Sequence, residues 1–178
     1  MIVSEDLKQK LKSIKLLILD ADGVLTDGKI YYGSYGDEVK VFDVKDGLGL
    51  SLWKRAGKIS CILTAKKSPL LKRRARDVKI FKVYQNAYRK IDVYRKLKSK
   101  FSLSDSEICY IGDDLIDIGV LREAGLSVTV LGAPSEVKEV SDYIANSPGG
   151  SGAVREVIEL ILKEQDLWNK LVQDLTND

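Results

Sequence analysis

The sequence contains no histidine, and this absence excludes several classes of enzyme. A hydrolase that activates serine or cysteine through an imidazole is excluded, and so is a catalytic zinc ion bound by histidine. Acid–base chemistry near neutral pH must therefore use carboxylates, lysine, tyrosine or cysteine. The two cysteines, Cys61 and Cys109, lie in apolar runs without the spacing of a zinc site, so we expect buried packing residues.

Long apolar runs are also missing from the sequence. No run reaches the length that spans a bilayer, and residues 1–15 lack the apolar core and cleavage site of a signal peptide. We therefore expect a cytoplasmic protein that has no membrane partner. The 29 Lys and Arg residues nearly balance the 26 Asp and Glu residues. The resulting net charge of +3 gives no indication of nucleic-acid binding.

The length of 178 residues, with 44% hydrophobic residues, predicts one globular domain. Apolar runs that are typical of buried strands alternate with helical patterns. This alternation predicts an α/β fold, a Rossmann-like open parallel sheet with helices on both faces. The predicted strands are residues 14–19, 58–63, 80–83, 108–111 and 127–131. The predicted helices are residues 47–56, 69–77, 88–100, 116–124, 135–140 and 153–172.

A β-hairpin is predicted between the first strand and the first helix. Residues 29–32 and 39–44 form its strands, around a turn at Gly33, Ser34, Tyr35, Gly36 and Asp37. The whole flap covers residues 29–44. Its aromatic residues suggest an interface.

Acidic residues cluster after two of the predicted strands. They are Asp20 and Asp22 after the first strand, and Asp113, Asp114 and Asp117 after the fourth. Open parallel sheets bind ligands at the carboxyl ends of their strands. Carboxylates that converge there repel one another unless a cation compensates them, and hard oxygen ligands suit Mg²⁺. Turn formation and helix capping can explain either cluster alone. They are a poorer explanation for two such clusters that both occur at strand ends.

Two further strand ends carry groups that can bind phosphate. Thr64 and Lys66 follow the second predicted strand, where a hydroxyl and main-chain N–H groups can hold an anion. Lys90 lies in the first turn of a predicted helix, where a cation gains nothing from the helix dipole, which suggests an anionic partner. With the acidic clusters, these residues suit phosphoryl transfer to an aspartate.

These motifs resemble those of the haloacid dehalogenase superfamily. Its phosphatases carry DxDGxT, a strand-end Thr or Ser, a Lys and a GDDxxD-type motif, in that order. This chain has them at residues 20–26, with one additional residue before Thr26, and at Thr64, Lys90 and residues 112–117.

A closer resemblance is to the 3-deoxy-D-manno-octulosonate 8-phosphate (KDO 8-phosphate) phosphatase family. The matching segments are DADGVLTDGKIYY, VKDG, GDDLID and GGSGAVRE. Three segments depart from the family pattern: the usual TGR is Thr64-Ala65-Lys66, the usual VRDG arginine is Lys45, and the usual YQG is Tyr84-Gln85-Asn86. Lysine keeps the charge of arginine but loses its bidentate fork.

The resemblance implies a role for each site residue. Asp20 is the nucleophile that becomes an aspartyl phosphate, and Asp22 is the acid and base. Mg²⁺ is the implied cofactor, held by Asp20, the main-chain carbonyl of Asp22, and Asp113, and oriented by Asp114 and Asp117. Thr64 and Lys90 bind the phosphoryl group. The candidates for substrate binding are Asp22, Lys45, Asp46, Gly47, Lys66, Arg74 and Arg155.

The resemblance also implies a homo-oligomer, a tetramer. Many superfamily members insert a cap domain before or after the strand-end threonine, but here neither interval, 27–64 nor 64–90, is long enough for one. The family's hairpins associate and its C-terminal segments, residues 149–156 here, reach an adjacent site. The implied activity is KDO 8-phosphate hydrolysis in lipopolysaccharide precursor synthesis.

Three alternatives remain open at this point. One is a phosphatase for another sugar acid phosphate, such as N-acylneuraminate 9-phosphate. The second is an inactive or regulatory module of the same fold. The third is a receiver-like signalling domain, which the Asp20–Asp22 pair disfavours because receivers lack the second acid.

Overall fold

The computed structural model describes residues 4–34 and 38–177, in which eight strands and eight helices occur. The strands are β1 (Leu16–Leu19), β2 (Tyr31–Tyr32), β3 (Glu38–Val39), β4 (Ile59–Leu63), β5 (Lys82–Tyr84), β6 (Ile108–Gly112), β7 (Leu126–Thr129) and β8 (Tyr143–Ile144). The helices are α1 (Glu5–Ser13), α2 (Val44–Arg55), α3 (Pro69–Asp77), α4 (Lys90–Phe101), α5 (Ile118–Leu121), α6 (Ser135–Lys138), α7 (Ala153–Glu164) and α8 (Trp168–Thr176). Short 3₁₀ turns cover Asp105–Glu107 and Leu115–Asp117.

Six of the strands form one parallel sheet in the order β5-β4-β1-β6-β7-β8. The chain moves outward from β1 to β4 and β5, then returns to β6 and moves the other way. Right-handed crossovers therefore place α2 and α3 on one face and α4 and α5 on the other. The predicted open parallel sheet is confirmed. The direction of winding reverses between β1 and β6, which creates a crevice at their carboxyl ends.

The central strands are buried on both faces, which explains their continuous apolar sequence. All four residues of β1 are buried, and so are those of β6 and β7. The buried apolar residues of the sheet and helices form one cluster. Cys61 and Cys109 belong to it as free thiols, as predicted.

The prediction of one helix over 153–172 is wrong, because the structure has α7 and α8 there. Asp166 has a positive φ of 57°, and the N–H of Leu167 donates to the carbonyl of Leu162 at 2.9 Å. This is the Schellman arrangement that ends helices. The Gln165 amide donates to the carbonyls of Leu11 (2.8 Å) and Ile14 (3.0 Å), which ties this break to the end of α1.

Other differences from the predicted elements are smaller. Helix α1 and strand β8 were not predicted. The helix predicted at 116–124 is the 3₁₀ turn followed by α5. Helix α2 begins at Val44 rather than at residue 47, because the Asp43 carboxylate caps it by accepting the N–H groups of Lys45 and Asp46.

The hairpin strands are shorter than predicted. Tyr31 pairs with Val39 and Tyr32 with Glu38. Residues 40–43 continue without strand pairing into α2. The predicted turn positions Tyr35, Gly36 and Asp37 lie outside the described residues. Among the residues described, no helix has both the length and the apolarity needed to cross a membrane.

Candidate active site

The acidic residues at the two central strand ends lie close together. Asp20 follows β1 and Asp113 follows β6, and these strands are neighbours in the sheet. One carboxylate oxygen from each of Asp20, Asp113 and Asp117 lies within 4.8 Å of the others. The structure therefore brings together acids from sequence segments more than 90 residues apart, at the crevice where the winding reverses.

Lys90, the first residue of α4, provides a positive charge inside this acidic cluster. Its ammonium lies 2.7 Å from Asp20 Oδ1 and 2.6 Å from Asp117 Oδ1, and the residue is 2% exposed. Burial alone would lower the pKa of Lys90, but the charges and hydrogen bonds of Asp20 and Asp117 raise it above its ordinary value. The lysine is therefore charged, and it fixes the orientation of the Asp20 carboxylate.

Asp117 is completely buried, and all of its accepting capacity is used. Its Oδ1 accepts from Lys90 and from the Tyr110 hydroxyl, and its Oδ2 accepts from the N–H groups of Asp113 (3.1 Å) and Asp114 (3.3 Å). A carboxylate with these bonds holds the loop after β6 in place. This position suits the predicted orienting role.

Asp113 has the opposite surroundings. Its Oδ1 is buried and has no hydrogen-bond partner among the described residues. Burial, followed by repulsion from Asp20 and Asp117, raises the pKa of Asp113 to about 8. Burial and the charge of Asp117 raise the pKa of Asp20 to about 6, against the lowering effect of Lys90.

The main chain beside Asp113 leaves room for its carboxylate. Gly23 has a φ of +92°, and a Cβ built on it would lie 1.9 Å from Asp113 Oδ2. An unpaired buried oxygen, mutual repulsion among carboxylates and an all-oxygen donor set fit a hard divalent cation. The residues present therefore suit the predicted metal.

Asp22 lies at the edge of this cluster and is partly exposed. It forms an ion pair with Lys40, which also lies 3.2 Å from Glu38. The Lys40 side chain is 5% exposed although it follows the hairpin strand. Lys40 was not predicted from the sequence, but its position between the exposed Val39 and Val41 indicates, by strand alternation, that it faces inward.

Thr64 directly follows β4, the neighbour of β1, so it lies on the same edge of the sheet as Asp20. It is buried, and its Oγ1 accepts the N–H of Lys66 at 3.2 Å. Its carbonyl accepts the N–H of Ala87 at 3.0 Å, which joins the loops after β4 and β5. Lys66 itself is exposed.

The candidate substrate residues come from several elements of the chain. Lys45 is exposed at the start of α2, and Arg74 donates to the carbonyl of Asp43 at 2.7 Å and lies over the Phe42 ring, beside Gly47. Asp114 is exposed and accepts the N–H of its neighbour Leu115. The observed contacts therefore join Arg74 to Gly47 and to the segment before α2.

Arg155 and Asp46 are occupied within the chain. The Arg155 guanidinium lies 5.0 Å from the centre of the Trp168 ring, and its Nε donates to Glu159 at 3.3 Å. Asp46 is 1% exposed and accepts the N–H of Arg155 at 2.8 Å. In this arrangement the Asp46 carboxylate is bonded to the main chain of α7, and its role in substrate binding stays a prediction.

Comparison with known proteins supports the chemistry of this site. The family described as "haloacid dehalogenase-like hydrolase" matches residues 63–158. The 3-deoxy-D-manno-octulosonate 8-phosphate phosphatase KdsC of Escherichia coli K12 is 40% identical over 163 residues, which cover 92% of this chain and 87% of the relative. The corresponding protein of Yersinia pestis is 40% identical over 164 residues, covering 92% and 88%.

Solved structures give the same result. The Moraxella catarrhalis KDO 8-phosphate phosphatase, in complex with a magnesium ion, a phosphate ion and KDO, has a TM-score of 0.92 and 42% identity, covering 94% of this chain and 97% of that one. The cobalt-bound Haemophilus influenzae phosphatase has a TM-score of 0.86 and 36% identity, covering 90% and 94%. This chain belongs to the haloacid dehalogenase-like hydrolases and, among them, to the KDO 8-phosphate phosphatase family.

Proposed function

We propose that the chain hydrolyses KDO 8-phosphate to the free sugar acid and phosphate, as a step in lipopolysaccharide precursor synthesis. The observation that carries the proposal is the Asp20 carboxylate, oriented by buried Lys90 and placed beside the unpaired oxygen of Asp113. A nucleophile with this support suits attack on phosphorus. The names of the relatives supply the substrate.

The reaction proceeds in two steps on this chain's residues. Asp20 attacks phosphorus, and the bond from phosphorus to the sugar oxygen breaks as Asp22 gives that oxygen a proton. Asp22 then takes a proton from water, whose oxygen attacks the aspartyl phosphate and releases phosphate and Asp20. Lys90 and the Thr64 hydroxyl bind the transferring phosphoryl group, and Asp117 keeps Lys90 and the loop after β6 in position.

Mg²⁺ fits the donor set of Asp20, Asp113 and the main-chain carbonyl of Asp22. When bound, it neutralises charge on the carboxylates and the phosphoryl oxygens. Asp114 and Asp117 belong to the surrounding shell. We place the sugar acid near Lys45, Lys66 and Arg74, whose positive charges suit its carboxylate.

We further propose a cytoplasmic homotetramer in which neighbouring subunits close the site. The hairpin and the start of α2 expose a group of large apolar side chains, among them Tyr32 (77% exposed) and Val44 (81% exposed). Such a patch is typical of an interface. In the part of the chain that the structure describes, no cap domain covers Asp20, so a partner is needed to exclude water.

A panel of sugar phosphates with phosphate release as readout tests the substrate. We expect the highest kcat/KM for KDO 8-phosphate, loss of turnover in EDTA and recovery with Mg²⁺. A higher kcat/KM for a nine-carbon sugar acid phosphate would make that compound the assigned substrate in place of KDO 8-phosphate. Absence of turnover on the whole panel with Mg²⁺ would overturn the enzymatic assignment.

Sedimentation and an Arg155 variant test the assembly. We expect a tetramer, and Arg155→Ala should show a raised KM for KDO 8-phosphate with less effect on a small phosphate ester. A fully active monomer would refute the proposed arrangement.

A further inference from the structure

Helix α7 begins without a capping side chain of its own. Its N-cap residue is Gly152, with a φ of 98°, so the first N–H groups of the helix must find acceptors elsewhere. Asp46 of α2, 109 positions from Arg155 in sequence, provides one: its Oδ1 accepts the N–H of Arg155 at 2.8 Å. Arg155 is the third residue of α7, the position whose N–H a capping side chain normally binds.

The segment before α7 lies against the loop that carries the nucleophile. We call residues 149–152 the glycine strap. The N–H of Gly150 donates to the carbonyl of Val24 at 2.9 Å. A Cβ on Gly149 would lie 1.7 Å from the carbonyl oxygen of Gly23, so glycine alone permits this approach. The strap therefore packs directly on the main chain that follows Asp20 and Asp22.

A chain of contacts thus runs from α2 to the catalytic loop. Asp46 fixes the first turn of α7, α7 fixes the end of the strap, and the strap contacts residues 23–27. Helices α2 and α7 also meet at Gly49, against which the main chain and side chain of Arg155 pack. Asp46 can therefore influence the position of residues 23–27 through α7 and the strap. Its burial in this structure closes it to direct contact with a substrate.

We propose that Asp46 is a positioning residue for the reaction, which holds the glycine strap on the loop of Asp20 and Asp22 by capping α7. The proposal rests on the proposed function for the identity of the reaction, whereas the capping of α7 by Asp46 does not depend on it. A carboxylate oxygen suits the position because it accepts an N–H that the first turn of α7 leaves without an intrahelical partner. The second oxygen of Asp46 is buried and has no hydrogen-bond partner among the described residues.

The test compares Asp46→Ala with Asp46→Asn, using KDO 8-phosphate and a small phosphate ester that has no sugar acid. Asn keeps an oxygen that can accept the N–H of Arg155, so we expect its kcat to stay within about threefold of the unmodified enzyme. Ala removes the acceptor, so we expect kcat to fall about tenfold or more on both substrates, because small displacements of catalytic groups are costly. KM should change little in either variant.

Amide hydrogen exchange provides a readout that needs no activity. In Asp46→Ala, exchange at residues 150–155 should become roughly fivefold faster or more, the scale expected for a lost cap, and Asp46→Asn should retain protection. Ser4→Ala, which removes the cap of α1, is the matched control and should change neither kcat nor exchange in the strap.

The alternative, a substrate-binding Asp46, gives different results. It predicts a raised KM for KDO 8-phosphate alone, in both variants, with unchanged strap exchange, and this result would overturn the proposal. If Asp46→Ala does not fold, Asp46→Asn decides, because a neutral amide weakens a substrate contact but not the cap. If KDO 8-phosphate is not a substrate, the small ester and the exchange data still test Asp46.

Discussion

Gly23 offers a sharp test of the site geometry, because the fold leaves no space for a side chain there. A Cβ at this position would lie 1.9 Å from Asp113 Oδ2, whereas ordinary contacts begin near 3.4 Å. In Gly23→Ala the Asp113 carboxylate must therefore move by about 1.5 Å. Asp113 is a flexible side chain, so this movement should cost function more than stability.

Gly57→Ala is the matched control. Gly57 also has a positive φ, +77°, compared with +92° for Gly23, but a Cβ there would have no described atom within 4 Å. Both substitutions place alanine in the left-handed region, at a cost of roughly 1–2 kcal/mol each. Only Gly23→Ala also displaces Asp113, so the difference between the two variants isolates that displacement.

We expect both variants to lose a similar free energy of unfolding in denaturant titrations. Gly57→Ala should keep its kcat/KM, whereas Gly23→Ala should lose about 100-fold or more, the scale of a 1 Å misplacement in a catalytic site. Its Mg²⁺ requirement should also shift to higher concentration. The geometry derived for the site would be refuted if Gly23→Ala retained the activity and Mg²⁺ dependence of Gly57→Ala.

Three further substitutions test other parts of the structure. Asp20→Asn should fold, by circular dichroism, yet lose several orders of magnitude in phosphate release, and retention of a tenth of the activity would remove Asp20 as nucleophile. Lys90→Met should lower the free energy of unfolding by about 3–5 kcal/mol, since it leaves buried Asp20 and Asp117 without their cation; a value below about 1 kcal/mol would contradict the role of that ion pair. Burial raises the pKa of Asp46 from 3.8 to about 6, so the folded state holds this proton to higher pH than the unfolded state does. Stability from this group is therefore present below pH 4 and is lost as pH rises to about 6, by up to about 3 kcal/mol. Asp46→Asn, which does not titrate, should gain that amount relative to the unmodified chain between pH 4 and 7, and a difference independent of pH would contradict the raised pKa.

Sequence patterns predicted the parts of this fold that depend on local order. The apolar runs of β1 and β6 located two neighbouring strands, and the acids directly after them therefore had to meet at one sheet edge. Lys90 was identified because a cation at the start of a helix is unfavourable without an anion, and it is bonded to two. These inferences needed only strand ends and helix starts.

Contacts between distant segments were not predictable in this way. A lysine in a hairpin is ordinarily solvated, so the pair of Lys40 with Asp22 required the hairpin to be placed over the sheet edge. The apolar pattern continues through the break between α7 and α8, so it gives no sign of the break. The contact there is non-local, because Gln165 binds the carbonyls at the end of α1. The bond of Asp46 is also non-local, since its carboxylate accepts a main-chain N–H 109 positions away.

The charges at the crevice explain why the site and the fold depend on each other. Asp20, Asp113 and Asp117 lie within 4.8 Å of one another, and Lys90 is paired with Asp20 and Asp117. Asp117 is satisfied by donors from its own loop and from Tyr110, so its charge is held by the fold itself. Asp113 receives no such donor on Oδ1 among the described residues, and its burial, followed by repulsion from Asp20 and Asp117, raises its pKa. Asp113, beside Gly23, is thus the carboxylate whose charged form the chain supports least. A divalent cation held there would stabilise that charge and would also neutralise charge on the phosphoryl oxygens.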